Sequence, residues 1–312
     1  MTEVKKHSGR AIVVLVGLVV LSAPLWMNGY PIYVLSLVGI FGLVAIGLNF
    51  LTGYAGQISL GHAAFFAIGA YATGLLTKKV GLPFVLSLPL AGVLATAVGA
   101  VAALPALRLK NLYLAIATLG FGVVVQKLLF EWQSLTGGGA GLEVPAPRWG
   151  PIVLSTASHM YYLIVAVVIL GTWAAVNIVR TGSGRAMVMV RESEVAAGCL
   201  GISVAKYKVI AFSLSGFYTA VAGGLYCYLV RYINPESFNV NMSITFLSMI
   251  VIGGLGTIPG SLLGAVFYVL APELFRGIKD APGLVFGFSL IIVMVLMPKG
   301  LWGFVGRLWR RT

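Results

Sequence analysis

Apolar residues run along this chain in stretches much longer than one amphipathic period, and the polar positions gather in short clusters between them. From Ala11 to Thr77 there is no Asp, Glu, Lys or Arg, a stretch several times the roughly 20 apolar residues that carry one helix through a bilayer. Backbone amides in hydrocarbon must pair internally, which leaves helices or a closed barrel, and these runs lack the alternation of barrel strands. Cutting at charges, glycines and prolines predicts helices starting near residues 11, 31, 56, 83, 111, 159, 207, 243, 260 and 281. The expected fold is therefore an all-α polytopic membrane protein, one transmembrane domain over 1–312, with about ten spans. Broken or re-entrant glycine-rich segments and an internal repeat belong to the same expectation.

Two of these starts rest on interruptions, Gly53 to Gly61 and Gly256 to Gly260, and charge parity supports both. With ten spans and cytoplasmic N and C termini, inner segments carry Lys5, Lys6, Arg10, Arg108, Lys110, Arg180, Arg185, Arg191, Lys206, Lys208, Lys299, Arg307, Arg310 and Arg311. Dropping either span puts a basic loop or the basic tail outside, against the tendency of Lys and Arg to stay cytoplasmic. Lys78 and Lys79 are the exceptions. The outer loops are then 132–158 and 231–242. The tail 299–312, with Trp302 and Trp309 among its arginines, suits the inner interface.

Composition agrees: 59% of the 312 residues are hydrophobic and 9% charged, far from the balance of a soluble domain. The net charge of +13 does not point to nucleic acid, because the basic residues lie between apolar runs and form no single patch. Cys199 and Cys227 fit neither a disulfide framework nor a metal spacing. Lys5, Lys6 and Arg10 precede an apolar run without a convincing cleavage site after Leu21, so this run reads as an uncleaved first span.

Three stretches carry more than hydropathy. Gly53–Phe65, GYAGQISLGHAAF, places Gly53, Gly56, Gln57, Ser59, Gly61 and His62 at membrane depth, where polar groups are costly unless packed on protein or lining a wet cavity. The plainer reading is a tight turn with small-residue helix packing. Ile252–Ala265 holds Gly253, Gly256 and Gly260, and glycine-interrupted segments in corresponding halves mark an internal repeat and a midplane pathway. Gly56 and Gly256 are the candidate counterparts. Arg180–Lys208 is a basic, partly helical insertion in which Arg191, Glu192 and Glu194 precede the small residues Ala196, Ala197 and Gly198 and the run ends at Gly201. A charge run is commonly a solvated loop, but small apolar residues in its middle suit the close approach of another protein. The glycines of Thr136–Gly150 sit in an outer loop outside any βαβ context, and His159 has no second His or Cys nearby to share a metal.

Together these stretches resemble the LivM-type branched-chain amino acid permeases of ABC importers. The most specific piece is Leu48–Tyr71, LNFLTGYAGQISLGHAAFFAIGAY; LTGGGAGLEVP, RESEVAAGCLGI, YKVIAFSLSGFYTAVAGGLY and IGGLGTIPGSLLGA follow in the family's order. The resemblance implies import of branched-chain or other hydrophobic amino acids across a bacterial inner membrane. It implies as partners a second homologous permease of LivH type, two ATPase subunits and an extracytoplasmic solute-binding protein. Arg191, Glu194, Ala196, Ala197 and Gly201 resemble the segment that couples such permeases to the ATPase, although the C-terminal part departs from the general ABC pattern. ATP and Mg are expected on the partners and no cofactor on this chain, which contains no G-x-x-x-x-G-K-[ST] loop. Relatives on the same scaffold carry urea, short amides or aromatic acids. The rival classes are a secondary carrier, disfavoured by the lack of acids deep in the predicted spans, and a membrane enzyme, which lacks a catalytic constellation.

Overall fold

The computed structural model describes residues 17, 21–27, 29–109, 111–149, 152–154, 156–274, 287, 291, 297 and 300–304. Helix α1 (Tyr30–Asn49) runs into a π turn, Phe50–Tyr54, and is followed by α2 (His62–Lys79), α3 (Phe84–Ala102), α4 (Asn111–Glu131) and α5 (Ala157–Arg180). Two short helices, α6 (Gly182–Glu192) and α7 (Glu194–Cys199), lead into α8 (Val204–Val230), α9 (Val240–Gly253) and α10 (Ile258–Leu274). The starts expected at 31, 83, 111, 159, 207, 243 and 260 lie within about three residues of these helices. The expected start at 56 is corrected to His62, because the chain leaves the π turn at Gly56 in a left-handed conformation (φ +69°) and regains helical geometry only after Gly61. The spans expected from 11 and 281, and the tail 299–312, fall largely outside the described residues.

Among the described residues, five helices are long and apolar enough to cross a membrane: α1 with its π turn, α3, α4 from Leu112, α5 and α8. The pair α9 and α10 is bent by 120° at its break. At 14 residues α9 is about 21 Å long, short of the roughly 30 Å hydrocarbon core. Helix α8 packs on α1, α2 and α3, while α10 packs on α1 and α9. Close helix approach comes from glycines, with Gly69 set against the Ala220 backbone and Gly223 against the Phe66 carbonyl, the small-residue packing expected where no hydrophobic drive separates helix from lipid. Helix α5 lies at the rim, with 11% of its apolar window buried against 72% for α1 and its π turn.

The bundle has two distinguishable ends. At one, β1 (Leu142–Glu143) pairs antiparallel with the strand Tyr232–Ile233, register Leu142 to Ile233 and Glu143 to Tyr232. Lys79 Nζ donates to Ser134 O there (3.2 Å), so the segments expected as outer loops meet each other and Lys79. At the other end lie the turn after α3, the α6–α7 segment and both glycine breaks, joined by Lys208 Nζ donating to Ala106 O (3.0 Å) and Arg191 Nη1 donating to Gly53 O (2.7 Å).

Candidate functional site

The first break begins where α1 unwinds. Gln57 N donates to Leu51 O (3.0 Å) and Thr52 Oγ1 to Gln57 O (3.1 Å), which folds the non-helical stretch back on the π turn. Farther on, Leu60 N donates to Thr118 Oγ1 (3.0 Å) and Ala63 N to Ser243 Oγ (2.9 Å), so amides freed by the interrupted helix are met by side chains of α4 and α9. His62 is fully buried and bonded at both ring nitrogens, Nδ1 to Ser59 Oγ (3.0 Å) and Nε2 to Ser215 Oγ (2.6 Å). Ser215 is 11 residues (215 − 204) into α8, about 16 Å along its axis. The non-helical segment therefore climbs from the Arg191 end to the middle of the bundle, and α2 starts there.

Along that climb Ile58 is 41% exposed. Irregular backbone at membrane depth is tolerated only against protein or beside a wet cavity, never against lipid. The exposed flank of Ala55–Gly61 thus faces another protein surface or water. Gln57 is buried, with Nε2 donating to Ala55 O (3.3 Å) and Oε1 unbonded among the described residues. With Gly56, Arg191, Glu192 and Glu194 it lines a cavity of about 230 Å³.

The second break is tied to the first. Asn49, fully buried at the end of α1, donates through Nδ2 to Thr257 O and Ser261 Oγ (both 2.8 Å), and its Oδ1 accepts from Gly256 N (2.8 Å). Gly256, like Gly56, has positive φ (+73°). A methyl at Gly53 would collide with Asn49 Oδ1 and with the amide nitrogen of Gly256, and one at Gly260 would meet Thr257 Oγ1 and the Gly253 carbonyl. The two glycine runs that the sequence pairs as counterparts are in direct contact. The pathway candidates thus divide: Gly53, Gly56, Gln57, Gly253, Gly256 and Gly260 gather around Asn49 and Arg191, whereas Ser59, Gly61 and His62 lie deeper beside Thr118 and Ser215.

Within the 180–208 segment the five coupling candidates do not share one surface. Ala196 and Gly201 are exposed, Ala197 is turned inward at 1% exposure, and Arg191 reaches back to Gly53. Glu194 turns back on the bundle, where its Oε1 pairs with Lys208 Nζ at 2.8 Å. Lys208 is fully buried, and an ammonium out of water costs several kcal/mol unless paired, so Glu194 and the Ala106 carbonyl together fix α7 to α8 and to the turn after α3. Ser193 caps α7, its Oγ accepting from Ala196 N (3.2 Å).

Sequence reasoning missed Asn49 and Lys208. Their signals are a lone amide closing an apolar run and a lysine seated inside a helix, each costly at depth without a partner. It also passed over Val195 and Leu200, 76% and 67% exposed, which leave an apolar surface on the α7 segment.

A profile of the branched-chain amino acid transport system permease component matches residues 30–298. The chain is 32% identical to the high-affinity branched-chain amino acid transport system permease protein LivM of Escherichia coli (strain K12), over 92% of this chain and 74% of that relative. It is 31% identical to the Salmonella typhimurium protein of that name, over 89% of this chain and 71% of the relative. Similarity extends to the E. coli permease protein LivH of that system, at 26% identity over 84% of this chain and 91% of the relative. No solved structure matches the chain.

Proposed function

Because the chain belongs to the branched-chain amino acid transport permease family, we propose that it is one transmembrane subunit of an ATP-driven importer for branched-chain or other hydrophobic amino acids. The importer operates in a bacterial inner membrane. In this reading the chain spans the bilayer about ten times with both termini inside, so that the α6–α7 end faces the cytoplasm. A LivH-type permease stands beside it, two ATPase subunits dock below, and a solute-binding protein delivers cargo from outside and sets most of the selectivity.

The observation that carries the reading is the pairing of an apolar, exposed α7 segment (Val195, Ala196, Leu200, Gly201) with a glycine break that climbs to mid-bundle and exposes Ile58. The first suits a docking protein, since exposed apolar residues at an aqueous end mark interaction sites. The second suits the seam between two permease subunits, where the cargo path runs. Gly53, Gly56, Gln57, Ser59, Gly61, His62, Gly253, Gly256 and Gly260 are the residues assigned to that seam and to the packing that shapes it.

Uptake into proteoliposomes holding the complete complex tests this directly. Uptake is expected to need internal ATP and to persist when ion gradients are collapsed. Uptake sustained by a gradient without ATP would instead make the protein a secondary carrier.

A further inference from the structure

We propose that Arg191 is the positioning residue through which movement of the α6–α7 segment reaches both glycine breaks at once. This rests on the importer reading above and adds to it a route for the coupling. Arg191 sits at the C-terminal end of α6, where a cation complements the helix carbonyls. Helix α6 is seated by the buried Ala186, Met187 and Val190. From there its guanidinium donates Nη1 to Gly53 O (2.7 Å), while Nε donates to Glu192 Oε1 (3.1 Å). Its stem covers Gly56, where a Cβ would come within 2.7 Å of Arg191 Cγ, and its Nη1 covers Gly256, where a Cβ would stand 3.1 Å away. One side chain thus touches a carbonyl of the π turn and both left-handed glycines.

The rest of the segment is held differently. Glu194 and Lys208 fasten α7 to α8 and to the Ala106 turn, elements that carry no break. A push on α7 therefore meets a fixed bracket on the α8 side and a pair of hinges on the Arg191 side. The planar guanidinium suits this role, since one edge of the fork holds Glu192 while another nitrogen holds the Gly53 carbonyl, which a lysine ammonium on a flexible stem does less rigidly. Glycines at Gly53, Gly56 and Gly256 are then required twice over, for positive φ at two of them and for the close approach of neighbouring groups.

The test uses the full-length chain in its complex, with Cys199→Ser removing the exposed thiol and Ile58→Cys reporting on the first break. Arg191→Met and Arg191→Lys are compared with this parent for solute moved per ATP hydrolysed and for the rate at which the thiol introduced at position 58 reacts with a water-soluble maleimide. Arg191→Met is expected to lower the transport-to-hydrolysis ratio roughly tenfold, a typical coupling free energy, and to abolish the ATP-dependent change in labelling; Arg191→Lys recovers part of both. A proportional fall in transport and hydrolysis with the labelling response intact would mean that Arg191 merely supports the fold, and would overturn the proposal. If the parent transports without ATP, the importer reading fails on its own. Nucleotide-free labelling then decides the role of Arg191: a roughly fivefold faster reaction in Arg191→Met supports it as the tie on the Gly53 break, and equal rates overturn it.

Discussion

At Gly53–Gly61 the chain leaves a π turn and runs through seven non-helical residues (55–61) before α2 begins at mid-bundle, whereas at Gly254–Thr257 a few residues turn it through 120° from α9 into α10. Both breaks turn on a glycine with φ near +70°. What differs is how each is satisfied. The long break borrows partners from three helices, through Thr118, Ser215 and Ser243. The short one takes its distant side-chain bonds from Asn49 and closes the rest locally, with Thr257 Oγ1 donating to Gly254 O (2.9 Å) and Gly254 N to Ile250 O (2.9 Å). Identical local chemistry therefore produces a deep, partly exposed segment in one place and a compact corner in the other, and it is the neighbours that decide.

The harshest probe loosens the bracket that holds α7 beside both breaks. Glu194→Arg sets a second cation against the buried Lys208 and is expected to cost about 3–5 kcal/mol, as for a broken buried ion pair, seen as a large fall in the apparent unfolding midpoint of the purified protein. If Glu194 acted only at a docking surface, the midpoint would hold and only stimulated ATP hydrolysis would fall. Cutting the link between the breaks comes next. Asn49→Leu removes three hydrogen bonds and is expected to cost about 2–3 kcal/mol; an unchanged midpoint would show that the breaks are not joined through Asn49. The mildest probe separates the two glycines. Alanine at either costs about 1–2 kcal/mol for the left-handed backbone, and Gly56→Ala is the worse because its methyl comes within 2.7 Å of the Arg191 stem, while that of Gly256→Ala stands 3.1 Å from the guanidinium and 3.3 Å from the Gly53 carbonyl. Leucine at either position is expected to block uptake in the assay above. Equal midpoints for the two alanine variants would remove the distinction.

Most of the helix positions were legible because they follow from solvent alone. Phe84 and Asn111 open helices where a polar or proline cluster gives way to an apolar run, and no tertiary information is needed to say so. The start of α2 was misplaced by six residues (62 − 56) for the opposite reason. No charge lies between Tyr30 and Thr77 to mark the boundary, and the stretch before His62 is held open by side chains on helices far along the chain. The 180–208 segment was legible as a charged insertion with small residues, but not which of its side chains face outward: Ala197 and Glu194 look inward, and Val195 and Leu200 look out.

Hydropathy, glycine placement and basic loops by themselves determined a helical membrane protein, interrupted twice by glycine, with a basic segment after the predicted sixth span. Each follows from the cost of putting charge or unpaired backbone into hydrocarbon, a cost borne by every residue wherever it ends up in the fold. Only the tertiary structure decided that the two interruptions touch, that Asn49 ties them, that Arg191 covers both and that Lys208 anchors Glu194. Those pairings join residues up to 212 positions apart, and a contact between distant segments depends on which helices pack together, information that no local pattern of polarity contains.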